Sequence, residues 1–148
     1  SWIMGMHMES LGVRMERHCA NALAVARWLD ADSRISWVSY PGLEGDKYHA
    51  LAEKYMPNGT CGVISFGVPG GREKVSAFLD HLKMVSIATH VADARSCTLY
   101  PAGTTHRQLT DEQLEEAGVG IDLVRLSCGI ENAADIIADL DQALASIQ

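Results

Sequence analysis

The sequence of 148 residues lacks two features that would assign it to a membrane or to nucleic acid. No apolar run approaches the roughly 20 residues that a helix needs to cross a bilayer, so we expect one soluble domain with no membrane partner. Basic residues are in deficit, with 12 Lys and Arg against 19 Asp and Glu and a net charge of -7. Because no basic stripe could neutralise a phosphate backbone, a nucleic-acid partner is not expected.

The chain also lacks the paired spacings that are typical of metal sites and disulfide frameworks. Its six histidines form no HxxxH pair, and its cysteines form no CxxC pair. The cysteines are Cys19, Cys61, Cys97 and Cys128. We expect no metal site, and reduced, buried thiols in a cytoplasmic protein, with a zinc site or a disulfide as the less favoured alternative. The first residues, SWIMGMHMESL, have neither a signal peptide nor an initiator methionine, which favours a piece of a longer protein.

Apolar periodicity predicts helices and strands that alternate irregularly. Between Glu9 and Leu29, apolar residues recur at the spacing of one helix face, which predicts a helix of about 30 Å. Further helices are predicted at 46–56, at 72–83, after a capping box of Thr110 and Gln113, and from Asn132 onward. Strands are predicted at 35–40, 61–68, 85–91, 96–100 and 122–129. The sequence therefore predicts an α/β (α+β) domain of two layers, with a mixed or antiparallel sheet and helices on one face.

Arg125 is a charged residue in the middle of the otherwise apolar strand DLVRLSCG. Alternate residues of a strand share a face, so Val124, Leu126 and Cys128 belong against the helices and Arg125 faces the other way. The pattern alone favours an exposed guanidinium on an edge strand. A bidentate site for a carboxylate or a phosphate is the alternative.

The segment ATHVADARSCTLYPAGTTH is the most unusual part of the chain. It carries His90 and His106 and a run of turn-forming residues that includes Thr104 and Thr105. Polar residues that follow a strand in this way often line a binding site. They are equally typical of an ordered loop whose threonines form hydrogen bonds with the backbone. The glycines of FGVPGGRE fit no phosphate-loop spacing, so a tight turn is expected there.

Four stretches together resemble the C-terminal part of the Cys/Met-metabolism family of pyridoxal-phosphate (PLP) enzymes. They are SLGVRMERHCANALAVARWL, WVSYPGLEGDKYHALAEKYMPNGTCGVISFGVPGGRE, DARSCTLYPAGTTHRQLTDEQLEEAGV and DLVRLSCGIENAADIIADLDQAL, and YPAGTTH and the LVRLS strand are the most specific pieces. The resemblance implies the small C-terminal domain of a fold-type I PLP enzyme over residues 1–148. Residues 1–30 would form a long connecting helix region, and the large PLP-binding domain would be absent.

Within the family, MERHCANALAVA, YPGL with YHALAEKY, and the glycines of GVPGGRE are most similar to O-acetylhomoserine sulfhydrylases (O-acetylhomoserine aminocarboxypropyltransferases). The resemblance implies a transferase of methionine biosynthesis that makes homocysteine from O-acetylhomoserine and sulfide. The alternatives are a methionine or cystathionine γ-lyase, a γ-synthase, and a stand-alone binding or assembly module. A homo-oligomer is also implied, a tetramer in the intact enzyme, and the apolar start fits self-association. Its apolar residues are Trp2, Ile3, Met4, Met6 and Met8.

The resemblance also implies substrate-binding residues. Arg125 corresponds to the family arginine that holds the substrate's α-carboxylate, and Thr105 corresponds to a threonine near the substrate. His90 stands where relatives carry Ser or Asn, so carboxylate contacts there are expected from the backbone of His90 and Val91. YPAGTTH departs from the family's HPAS pattern at Tyr100 and Gly103.

No catalytic residue is expected in this chain. In the family, the lysine that binds PLP, the aspartate on the pyridine nitrogen and the phosphate-binding residues all lie upstream. The lysines of this chain match no cofactor motif; they are Lys47, Lys54, Lys74 and Lys83. Because the chemistry needs the cofactor as an electron sink, the chain alone is expected to be inactive, with the missing large domain as its partner.

Overall fold

The computed structural model describes residues 1–147 as a five-stranded sheet with six α-helices. The helices are α1 (Trp2–Glu9), α2 (Leu11–Ala31), α3 (His49–Tyr55), α4 (Gly71–Asp80), α5 (Asp111–Glu116) and α6 (Ala133–Ala145). The strands are β1 (Val38–Ser39), β2 (Val63–Gly67), β3 (Ser86–Ile87), β4 (Cys97–Leu99) and β5 (Leu123–Ser127). A 3₁₀ turn follows β4 at Pro101–Gly103. None of the described helices is long and apolar enough to cross a membrane.

The last strand of the sequence, β5, lies at the centre of the sheet. The strand order is β1-β2-β5-β4-β3, and every pair is antiparallel except β3 with β4, which is parallel. Arg125 lies between Ser65 of β2 and Leu99 of β4. The mixed sheet is confirmed, but the interpretation of Arg125 as a residue on an edge strand is wrong.

The helices α2, α4 and α6 pack on one face of the sheet and form the core with it. From the sheet, the fully buried Ile64, Phe66, Val124 and Leu126 enter this core. Phe66 meets Phe78 of α4 edge to face, with ring centroids 6.2 Å apart. Burying large apolar side chains from both layers is the main favourable term in such a fold. The predicted two-layer architecture is confirmed.

The helix predicted from Glu9 to Leu29 corresponds to α2, and a separate helix, α1, precedes it. The chain leaves helical geometry at Ser10, and α2 then runs from Leu11 to Ala31. Arg14 stabilises the joint, because its guanidinium donates to the carbonyl of His7 at 2.7 Å and to the hydroxyl of Ser10 at 3.2 Å. No residue of α1 is buried, and Leu11 is also exposed. The predicted apolar face therefore enters the core only in the later turns of α2.

Two predicted helix starts are confirmed. Thr110 and Gln113 form the capping box of α5, in which each side chain accepts a hydrogen bond from the other residue's backbone N–H. Asn132 caps α6 by accepting from the N–H of Ala134 at 3.0 Å. These side chains satisfy backbone donors that the first turn of a helix leaves free.

The edge strands are shorter than predicted. β1 and β3 have two residues each, against predicted strands at 35–40 and 85–91. After β3 one more hydrogen bond forms, from the N–H of Ala88 to the carbonyl of Thr98 at 2.9 Å. The chain then leaves the sheet. Residues 88–94 form a loop, called the 88–94 loop below, that passes beside β5.

Candidate functional site

Arg125 lies on the face of the sheet opposite the helices, as strand alternation predicted. Its side chain is half-buried. The buried Nε atom has no hydrogen-bond partner within residues 1–147, and Nη2 makes one long contact, 3.5 Å from the carbonyl oxygen of Thr89. No ion pair to Arg125 forms within the same residues. The site therefore presents a positive charge whose donors are almost unused.

The 88–94 loop is held by backbone N–H groups at three points. The Ala88 bond to β4 holds its start, and the N–H of Ile130 donates to the carbonyl of Ala94 at 3.0 Å at its end. In the middle, the N–H of Ala92 donates to the hydroxyl oxygen of Ser127 at 3.1 Å. The contact of Thr89 with Arg125 therefore belongs to a held loop.

His90 and Val91 follow Thr89 and lie in the exposed part of this loop. Their backbone N–H groups form no hydrogen bond with residues 1–147. The next residue, Ala92, has a φ of +59°, and no other non-glycine residue among 1–147 has a positive φ. These two N–H groups are therefore donors that a ligand could use. His90 and Val91 thus follow directly on Thr89, whose carbonyl oxygen contacts Arg125.

Thr105 lies after the 3₁₀ turn and is exposed. Its hydroxyl is 2.9 Å from Nδ1 of His106, and no hydrogen bond joins it to Arg125, His90 or Val91. The neighbouring Thr104 donates to the carbonyl of Tyr100 at 2.6 Å, which is the loop-ordering role that the sequence left open. Thr105 is therefore not hydrogen-bonded to Arg125 in the described part of the chain, and its role in substrate binding stays a prediction.

Sequence reasoning missed two residues of this site, Ser127 and Ala92. Ser127 is 2 % exposed, and strand alternation already placed it on the face of Arg125. That position was the one available signal for it. Ala92 gave no signal, because a left-handed conformation is expected at glycine, asparagine or aspartate rather than at alanine.

The two buried thiols, Cys97 and Cys128, are protonated at neutral pH. Burial raises the pKa of Cys97, whose backbone pairs with Ser127, and raises the pKa of Cys128 to about 12. All four cysteines are free, but Cys19 and Cys61 are only half-buried, so the expectation that every thiol is buried is wrong for these two. Within residues 1–147, no group of His, Cys, Asp and Glu could hold a metal ion.

A family model described as Cys/Met metabolism PLP-dependent enzyme matches residues 1–145. The chain belongs to this family. It is 48 % identical over 137 residues to the homocysteine synthase of Schizosaccharomyces pombe, covering 93 % of this chain and 32 % of that protein. It is 45 % identical over 148 residues to the O-acetyl-L-homoserine sulfhydrylase of Leptospira meyeri, covering 99 % of this chain and 34 % of that protein.

The fold is also similar to that of a solved structure. A putative O-acetylhomoserine (thiol)-lyase from Campylobacter jejuni, solved with N'-pyridoxyl-lysine-5'-monophosphate, superposes with a TM-score of 0.90 at 38 % identity. The match covers 97 % of this chain and 34 % of that one. The chain therefore spans about a third of the length of the relatives it matches.

The described residues of this family member do not fit the cofactor itself. A lysine that binds PLP covalently must be nucleophilic, which requires burial or a neighbouring cation. All four lysines are exposed, with Lys54 on α3, Lys74 on α4, and Lys47 and Lys83 in loops. None of these four lysines therefore has the surroundings of a lysine that binds PLP. What the described residues offer is the Arg125 guanidinium, whose Nε has no partner within residues 1–147.

Proposed function

We propose that the chain is the small C-terminal domain of a PLP-dependent O-acetylhomoserine sulfhydrylase and that it binds the substrate's α-carboxylate. The observation that carries the proposal is Arg125, a half-buried guanidinium without an ion pair within residues 1–147. The named relatives, homocysteine synthase and O-acetyl-L-homoserine sulfhydrylase, support the substrate class. The whole protein would form homocysteine from O-acetylhomoserine and sulfide.

The geometry of Arg125 suits a carboxylate. A guanidinium has a planar fork of donors that matches two carboxylate oxygens, and Nε and Nη2 lie on one edge of that fork. Nε has no partner within residues 1–147, and the 3.5 Å contact of Nη2 with Thr89 is weak enough to be replaced. β5 is paired on both sides, so its backbone fixes where the fork stands.

Further donors for the same carboxylate come from the backbone of His90 and Val91. Both N–H groups lack partners within residues 1–147, and they follow Thr89, whose carbonyl oxygen is 3.5 Å from Nη2 of Arg125. In this arrangement the His90 side chain is not required. Thr105 would contact the substrate from the segment after the 3₁₀ turn. Cofactor and catalytic residues would be supplied by the rest of the longer protein.

Substitution of Arg125 in the full-length protein tests the proposal. Losing two charge-assisted hydrogen bonds costs about 3 kcal/mol, so Arg125→Ala should raise KM for O-acetylhomoserine by about 100-fold while the bound cofactor's absorbance is kept. Arg125→Lys should raise KM less than Arg125→Ala does but still above the wild-type value, because an ammonium group lacks the planar fork of donors. Arg27→Ala, at an exposed position on α2, is the matched control. An unchanged KM in Arg125→Ala would rule out the carboxylate role.

The separate prediction that this chain is inactive alone needs its own measurement. Purified residues 1–148 with added PLP should show no absorbance band of a lysine-bound cofactor and no homocysteine formation. In the full-length protein, product analysis with O-acetylhomoserine and sulfide, compared with methionine or cystathionine, distinguishes a sulfhydrylase from a lyase. Turnover by the isolated chain would contradict the assignment of the chemistry to the missing part.

A further inference from the structure

We infer that Ser127 is a positioning residue for the Arg125 site and that it acts through Ala92. The inference rests on the proposed function. Ser127 and Arg125 share one strand and one face of the sheet, two residues apart. Ser127 does not reach the substrate in this scheme. Its hydroxyl holds the 88–94 loop so that the N–H groups of His90 and Val91 stand beside the guanidinium.

The first argument is the hydrogen bond itself. The Ser127 hydroxyl is buried, and it accepts the N–H of Ala92 at 3.1 Å. The two other anchors of the loop lie at its ends, at Ala88 and Ala94. Within residues 1–147, the Ser127 hydroxyl therefore provides the hydrogen bond that fixes the middle of the loop. Since Ser127 belongs to β5, the loop is positioned relative to the same strand that carries Arg125.

The second argument is the backbone conformation of Ala92. A φ of +59° places Ala92 in the left-handed region. This conformation is strained for a residue with a Cβ atom but not for glycine. A strained residue stays in place only when its surroundings hold it. The net stabilisation by one hydrogen bond is of the same order as this strain. The loop therefore depends on the Ser127 hydroxyl to keep this conformation.

The third argument is the lack of close packing behind the loop. A cavity of about 120 Å³ lies there, between the loop, β5, α2 and the start of β2. Its lining includes His18, Cys61, Val63, Val91, Ala92 and Ser127. Side chains beside an empty space lose the contacts that would resist movement. Without the hydrogen bond, the loop could move into this space and carry the N–H groups of His90 and Val91 away from Arg125.

The test uses the full-length protein with bound cofactor. Ser127→Ala should raise KM for O-acetylhomoserine by about 3- to 10-fold, with kcat changed less than about twofold, because one neutral hydrogen bond is lost away from the reacting atoms. Adding Ala92→Gly to Ser127→Ala should bring KM back towards the wild-type value, because glycine adopts the left-handed conformation without strain. Ser36→Ala, which removes a hydroxyl at the other end of the sheet, is the control and should leave KM unchanged.

A second variant covers the case in which Ser127→Ala does not fold. Ala92→Val leaves Ser127 intact but makes the left-handed conformation more costly, so it should raise KM in the same way. The inference is overturned if neither variant changes KM while Arg125→Ala does, and it is equally overturned if Ala92→Gly fails to restore KM in Ser127→Ala. If Arg125→Ala leaves KM unchanged, the proposed carboxylate role of Arg125 is wrong, and the role of Ser127 fails with it.

Discussion

Asp139 and Arg125 are two charged residues withdrawn from water, and they differ in their hydrogen bonding. Asp139 on α6 is buried, and its two oxygens accept the backbone N–H groups of Lys83, Met84 and Val85, each at 2.9 Å. Arg125 has one contact at 3.5 Å. Removing the hydrogen-bond partners of a buried charge destabilises the fold. A charge that has no such partners in the fold lowers stability until a ligand provides hydrogen bonds. The comparison supports a structural role for Asp139 and a binding role for Arg125.

Replacing Asp139 should destabilise the domain strongly. Asp139→Ala would leave three backbone N–H groups of the segment before β3 without an acceptor, at a cost of about 3 kcal/mol. Urea unfolding followed by circular dichroism measures the change. Asp30→Ala, at an exposed position on α2, should change the free energy of unfolding by less than about 0.5 kcal/mol. Equal losses in the two variants would contradict the role of the buried carboxylate.

The same carboxylate makes stability depend on pH in acid. Burial raises the pKa of Asp139, but hydrogen bonds from three backbone N–H groups and from Gln142 lower it by more, so its pKa in the folded state is below the ordinary value. The stabilisation is therefore complete above the unfolded-state pKa of about 4, and it is lost as pH falls through the folded-state pKa. Urea unfolding between about pH 5 and pH 2 should show a steeper loss for the wild type than for Asp139→Asn. Parallel curves would contradict this linkage.

For a single residue, the sequence predicts which face of the sheet the side chain lies on better than it predicts the hydrogen-bond partners of that side chain. Strand alternation was enough to place Arg125 on the face away from the helices. It could not show that Ser127 binds Ala92, because that contact joins residues 35 positions apart through a loop whose path is set by tertiary structure. The pattern left an exposed guanidinium, a carboxylate site and a phosphate site open, and the resemblance to the family favoured the carboxylate.

Among the elements, α6 has a start that the sequence predicted, and its cap can be tested. Asn132→Ala should lower the free energy of unfolding by about 1 kcal/mol, because the N–H of Ala134 loses its acceptor. Asn132→Asp should keep most of the stability, since a carboxylate also accepts this bond and favours the N-terminal end of a helix. Thermal unfolding of the two variants gives the comparison. A loss of stability in Asn132→Asp as large as in Asn132→Ala would contradict the capping role.

Element boundaries were harder to predict where local preference and tertiary pairing disagree. Helix propensity continues through Ser10, so the break between α1 and α2 had no local signal beyond a serine. The β-branched residues at 85–91 predicted a long strand, but β3 pairs only through Ser86 and Ile87 because β4 has three residues. Pairing length depends on the neighbouring strand, which periodicity along one segment does not report.

For the whole molecule, the unburied α1 predicts association. Its residues Trp2, Ile3, Met4, Met6 and Met8 are between 52 and 75 % exposed. Contiguous apolar surface of this kind favours contacts with other protein surfaces. In sedimentation velocity, the isolated chain should form larger species as concentration rises, and Ile3→Lys with Met6→Lys should suppress them. The exposed pair Leu51→Lys and Tyr55→Lys on α3 is the matched control, and a monomeric wild type at all concentrations would contradict the prediction.

The central position of β5 has a consequence for the order in which this fold can form during synthesis. β2 is made early, but its pairing partner Ser127 is 64 residues further along the chain than Val63. At about 5–20 residues per second, a ribosome needs on the order of 3–13 s to supply that partner. Until then β2 with β1, and β4 with β3, are separate pairs with no common strand between them. Nascent chains should therefore resist protease only after residue 127 has left the ribosome.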